Sequence, residues 1–194
     1  MGEHGGGVME LQGCLGRADV VLGSFAPSFG ATGGFAAFRD PALPARLRRA
    51  GWRSPTLSPG KASAILAAFD LIDGAEGRRR RRRLHGNALR LRNHLMADGL
   101  PVMGQPAPFV PVRLPPATAQ ARSALLASAG PRLPLLQTPV VARHAPRWRI
   151  LLSADHGLAQ IDDLAELIRD VTRSFDRPIR RTPSPVSAPV PASD

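Results

Sequence analysis

Gly23-Ser24-Phe25-Ala26-Pro27-Ser28-Phe29-Gly30-Ala31-Thr32-Gly33-Gly34-Phe35 is the stretch on which the reading of this chain turns. It begins inside Ala18 to Phe25, ADVVLGSF, an apolar run closing on small residues that suits a strand buried on both faces of a parallel sheet. It ends by opening Gly33 to Phe38, GGFAAF, a second short strand after a glycine-rich turn. A strand that ends in a small hydroxyl residue and a glycine turn can bring backbone N–H groups and a hydroxyl onto a phosphate at the strand's C-terminal edge. An ordinary strand-to-turn junction uses the same residues.

Outward from that stretch, helices and strands alternate. PALPARLRRAG, Pro41 to Gly51, has proline near its start and glycine at its end, the punctuation of a short helix. Ser58 to Ile72 places Pro59 in a first turn and Ile65, Leu66, Phe69 and Ile72 at helical spacing. Glu76 to Ala97 aligns Leu84, Ala88, Leu91 and Leu95 and stops before Gly99, so it reads as a helical connector. After Gly99 come the strand candidate PFVPVRL, the helix ATAQARSALLASAG closing on Gly130, and the strands LPLLQTPVV and RWRILLSA. Leu158 to Phe175 is an amphipathic helix with Asp162, Asp163 and Glu166 in its N-terminal half, where carboxylates favour the helix dipole. Residues 99–175 thus form a small α+β unit, and the Pro/Ser-rich residues 176–194 read as a disordered tail.

Composition narrows the classes. The 194 residues are 43% hydrophobic, enough for a packed core. No apolar run approaches the roughly 20 residues of a membrane-spanning helix, and MGEHGGG lacks a signal peptide's basic and apolar regions, so a cytoplasmic protein is expected. Cys14 is the single cysteine, which excludes an internal disulfide framework and any cysteine-based zinc cluster. Lysine and arginine number 26 against 15 acidic residues, a net charge of +11, and Lys61 is the one lysine among them.

Three further motifs carry less. His4-Gly5-Gly6-Gly7 matches the oxyanion turn of some lipases, but no Gly-x-Ser-x-Gly nucleophile elbow accompanies it. The five histidines form no His-Glu-x-x-His pair, so no metal is expected. Arg78 to Arg83 is a run of six arginines that could contact phosphates. With no aromatic residue interleaved there is no stacking platform, and specific nucleic-acid binding is not the expected use.

Taken with its flanks, the opening stretch resembles the α-oxoamine synthases, pyridoxal-phosphate enzymes that condense an amino acid with an acyl-CoA to give an α-amino ketone. GSFAPSFGATGGF is similar to that family's Gly-Thr/Ser-x-x-Lys-x-x-Gly segment and the Gly-Gly pair after it. EHGGGVMELQG resembles its acidic-Ala-His-Gly stretch, and SPTLSPGKASAILAAFDLI the segment entering the next helix. LHGNALRLRNHL resembles the connector helix, and RWRILLSADHGLAQIDDL the late Arg-x-Arg strand with its Ala-x-His and helix. The matches run in collinear order from about residue 3 to residue 173.

The resemblance implies an α/β fold: the C-terminal part of a fold type I pyridoxal-phosphate-dependent large domain over residues 1–75, a connector over 76–98 and a small α+β domain over 99–175. It implies cofactor contacts from His4, from the Ser24 hydroxyl to the phosphate, and from Ser54 or Thr56 where a neighbouring subunit approaches. It implies a substrate-carboxylate contact from Arg149, whose guanidinium fork suits a carboxylate. The partners it implies are a homodimer mate or an N-terminal half not contained in this sequence. Two positions depart from the pattern. The Schiff-base lysine falls on Pro27, and the aspartate that pairs with the pyridinium nitrogen falls on Met1. Proline has no amine to act as a nucleophile, so no catalytic residue is assigned and the chain is expected to be inactive alone.

Overall fold

The computed structural model describes residues 2–26, 29–52 and 56–176. Pro27, Ser54, Met1 and the tail after residue 176 lie outside the described residues. The chain opens with a short helix, α1 (Gly7–Leu11), and a two-stranded hairpin of β1 (Val20–Ser24) and β2 (Gly34–Phe38). Three helices follow, α2 (Leu43–Arg49), α3 (Pro59–Asp73) and α4 (Ala75–Ala97). The remainder is β3 (Phe109–Arg113), α5 (Ala119–Ser128), β4 (Leu135–Leu136), β5 (Arg147–Leu151) and α6 (Leu158–Asp176).

The hairpin corrects one expectation. β1 pairs antiparallel with β2, with Val20 opposite Phe38 and Ser24 opposite Gly34, and no third strand among the described residues joins them. Nor is β1 buried on both faces, since Leu22 is 76% exposed and Val20 43%. An apolar run reads alike whether its strand lies inside a sheet or on a two-stranded ribbon, and only its neighbours decide which. The Gly-Gly pair has a local cause. Gly33 has φ +119, and a Cβ on Gly34 would stand 2.6 Å from the Gly23 carbonyl oxygen across the ribbon.

Helices α3 and α4 meet at a tight joint. The Ser58 hydroxyl accepts the Lys61 N–H at the start of α3. Gly74 ends α3 and caps α4, and a Cβ at Gly77 would lie 2.1 Å from the Ile72 carbonyl oxygen, so only glycine lets the helices approach there.

The core belongs to the second half of the chain. β5 is central in the antiparallel order β3-β5-β4, with Val110 opposite Ile150 and Val112 opposite Trp148. Period-two alternation buries Trp148 and Ile150 and turns Arg147, Arg149 and Leu151 the other way. Leu91 and Leu95 from α4, Leu126 from α5, and Ile161, Ala165, Ile168 and Val171 from α6 close over that buried face. Pro111 sits on the edge strand β3, where its missing N–H costs no ladder bond. The expected strand LPLLQTPVV contracts to Leu135–Leu136, followed by a cis Thr138–Pro139 bond. No described helix is long and apolar enough to cross a membrane.

Candidate functional site

The motif-bearing side chains are carried by different elements. Ser24 ends β1, and its Oγ accepts the Ala26 N–H at 3.1 Å and donates to the Gly33 carbonyl at 3.4 Å. The same carbonyl accepts the Phe25 N–H at 3.0 Å. The hydroxyl therefore staples the turn together. Behind it Phe25 is buried, with ring centroids 5.4 Å from Phe29 and 5.5 Å from Phe35, and Phe29 reaches Phe69 of α3 at 4.7 Å. That aromatic row fixes the hairpin on α3.

His4 lies in the N-terminal segment with its ring 79% exposed. Its partner is Glu10 on α1, which accepts the His4 N–H at 2.9 Å, the Gly6 N–H at 2.7 Å and lies 3.1 Å from His4 Nδ1. Accepting the His4 backbone N–H above all, with further help from Gly6 and the imidazole, holds the Glu10 carboxyl down at about 2. Arg81 of α4 ties this segment down by donating Nε and Nη2 to the Glu3 carbonyl at 3.1 and 2.9 Å.

Arg149 projects from the exposed face of β5, and its guanidinium lies 4.8 Å from the Phe109 ring centroid on β3. Thr56 is exposed in the approach to α3. Three cavities lined by described residues have none of His4, Ser24, Thr56 or Arg149 in their walls.

Side chains not singled out as site residues carry more of the geometry. Asn87, 2% exposed on α4, donates its amide to the carbonyls of Ser153 and His156 at 3.1 Å each. His156 Nδ1 accepts the Ser153 N–H at 3.0 Å, a contact that makes Nδ1 the unprotonated nitrogen. The turn joining β5 to α6 is thus clamped from inside. Arg122, 3% exposed on α5, donates to Asp176 at 2.6 Å and to Thr118 at 2.9 Å, with Phe175 beneath it at 5.3 Å. Asn87 carried a faint signal, a polar residue within an otherwise apolar helical stripe.

Against known proteins, the family model for class I and II aminotransferases matches residues 4–168. The 8-amino-7-oxononanoate synthase of Bordetella petrii is 32% identical over 174 residues, 88% of this chain and 44% of that protein. The erythroid-specific mitochondrial 5-aminolevulinate synthase of Bos taurus is 29% identical over 183 residues, 92% of this chain and 31% of that protein. A serine palmitoyltransferase from S. paucimobilis, solved with a bound PLP–myriocin aldimine, superposes with a TM-score of 0.77 at 25% identity, over 91% of this chain and 45% of that one. The fold is therefore that of the pyridoxal-phosphate-dependent transferases. The chain belongs to the class I and II aminotransferase family. It spans less than half the length of these relatives.

Proposed function

We propose that this chain is a non-catalytic α-oxoamine synthase module, which contributes the later part of that fold to an assembly and carries no covalent cofactor chemistry itself. The observation that carries the reading is Pro27 at the lysine position of the motif. A tertiary amide nitrogen locked in a ring, with no N–H, cannot replace an ε-amine. The one lysine, Lys61, is exposed near the start of α3 and lines none of the principal cavities.

Pyridoxal phosphate is the cofactor the family implies, and the residues here do not fit its covalent attachment. Ser24 Oγ is engaged within its own turn, His4 is engaged by Glu10, and Arg149 projects from a different sheet. No reaction step is therefore assigned to this chain alone. In a complete assembly, residues 1–75 would end the large domain, 76–98 would connect, and 99–175 would form the small domain. The assembly's substrates would be an amino acid and an acyl-CoA.

The exposed apolar side chains support a partner. Ten of the fifteen large exposed hydrophobics among the described residues fall between Val8 and Leu71, on the hairpin, α3 and the segments around them. Surface of that kind marks an interaction site, and the hairpin edges offer unpaired strand backbone. The occupant that fits is a chain carrying the earlier portion of an α-oxoamine synthase fold, with a homodimer mate as the alternative. Co-expression with such a chain, followed by size-exclusion chromatography and light scattering, tests this. A stable one-to-one complex is expected, and a monodisperse monomer that ignores the partner would sink the reading.

A further inference from the structure

We infer that the face of α4 bearing Arg78, Arg81, Arg82 and His85 is a binding site for the phosphate or diphosphate group of a small molecule. This goes beyond the proposed module role and does not depend on it. The four residues follow i, i+3, i+4, i+7 spacing, so they form one stripe of the helix. They line a cavity of about 430 Å³, walled by the N-terminal segment through Leu11 and by Pro106.

The arginine run divides into two electrostatically different faces. On one, Arg79 and Arg80 pair with Glu76 at 2.6 and 2.7 Å, and Arg80 also reaches Asp155 at 3.5 Å. On the cavity face, the partners of the arginines among the described residues are backbone carbonyls. Arg81 donates to Glu3 and Ile72, and Arg78 to Asp73 at 2.8 Å. A neutral carbonyl orients a guanidinium without cancelling its charge, so these donors are held in place and still positive. Glu3 is the one acidic residue lining the cavity, and Arg81 uses its backbone oxygen.

Three guanidiniums and an imidazole exceed what a single carboxylate would balance and suit a multiply charged phosphate, whose oxygens accept from several forks. The cavity has side walls and no Phe, Tyr or Trp in its lining, which favours a small molecule over a nucleic-acid strand tracking the whole run. Leu11 and Pro106 offer apolar contact for the organic part.

Isothermal titration calorimetry of the full chain with pyrophosphate and, separately, inorganic phosphate tests this at ionic strength held constant with sodium chloride. One saturable site per chain is expected for pyrophosphate. Arg82→Gln should weaken it by roughly tenfold, and Arg79→Gln, on the acid-paired face, should leave it within about twofold. Circular dichroism confirms that each variant keeps its helicity. Equal weakening by both variants would reduce the site to diffuse positive charge and overturn the proposal. So would an absence of saturable heat with either anion, or tight binding of duplex DNA that pyrophosphate fails to displace.

Discussion

Asn87 and His156 are joined across the fold: the buried Asn87 amide donates to the His156 carbonyl, 69 residues later, at 3.1 Å, and to Ser153 at the same distance. One side-chain nitrogen on α4 thereby satisfies two carbonyls of the turn that launches α6. The Ser-Ala-Asp-His-Gly segment, which sequence comparison presents as a motif, is built here as a joint. His156 accepts from Ser153, Ser153 Oγ accepts from Asp155, and Gln160 accepts from Gly157.

Removing that clamp should cost stability. Asn87→Ala leaves two carbonyls short of a donor, and a loss of about 1–3 kcal/mol is expected from an unsatisfied buried group. Urea denaturation followed by far-ultraviolet circular dichroism measures it. A midpoint unchanged from the parent would mean the amide is not holding the turn.

Trp148 makes a separable prediction. Its indole Nε1 donates to Ser123 Oγ at 2.7 Å, and the ring is fully buried in the core. Trp148→Phe should cost about 1 kcal/mol for the hydrogen bond beyond the change in volume. Trp148→Ala should cost about 3–5 kcal/mol as a cavity. A double-mutant cycle with Ser123→Ala isolates the bond, and zero coupling between the two would refute it.

Gly34 should resist substitution. A Cβ there meets the Gly23 carbonyl oxygen at 2.6 Å, so Gly34→Ala must push the two strands apart. Amide hydrogen exchange of residues 20–24 should speed up in this variant, while exchange in β5 stays as it was. Unchanged protection in β1 would show that the ribbon tolerates the methyl group.

The Glu10 carboxyl, held at about 2 against an ordinary 4.5, gives the N-terminal segment a defined pH response. A depressed carboxylate contributes stability that is fully present above its unfolded value and is lost as pH falls through its folded value. The stability this capping contributes should therefore be full at pH 5 and above and decline between about 4.5 and 2, while in the folded chain the contacts to His4 and Gly6 are half lost only near 2. NMR chemical shifts of those two amides report it, and an inflection near 4.5 would contradict the capping geometry.

Periodicity and punctuation made the second half of the chain legible. The expected strand RWRILLSA and the amphipathic helix from Leu158 match β5 and α6, which bring Trp148, Ile150, Ile161, Ile168 and Val171 into the core. The first half was less so, because β1 has the same apolar letters whether buried between helices or exposed on a ribbon. The site residues were found by motif, which records position in a sequence and not what a side chain touches. Ser24 matches the motif as a sequence letter, and its hydroxyl bonds within its own turn. Asn87 and Arg122 act through contacts 54 to 69 residues away; the break that Asn87 makes in its apolar stripe marks the residue, but no local pattern encodes those partners.

The proposal to test first is that this chain, with part of a pyridoxal-phosphate-dependent transferase fold, has no covalent anchor for the cofactor because Pro27 stands at the motif's lysine position. Incubation of the purified chain with pyridoxal phosphate, borohydride reduction and peptide mass spectrometry tests it directly. The account predicts no stoichiometric pyridoxyl adduct at any residue, and the same outcome for aldimine absorbance before reduction. A full equivalent of adduct on one residue, Lys61 included, would contradict it.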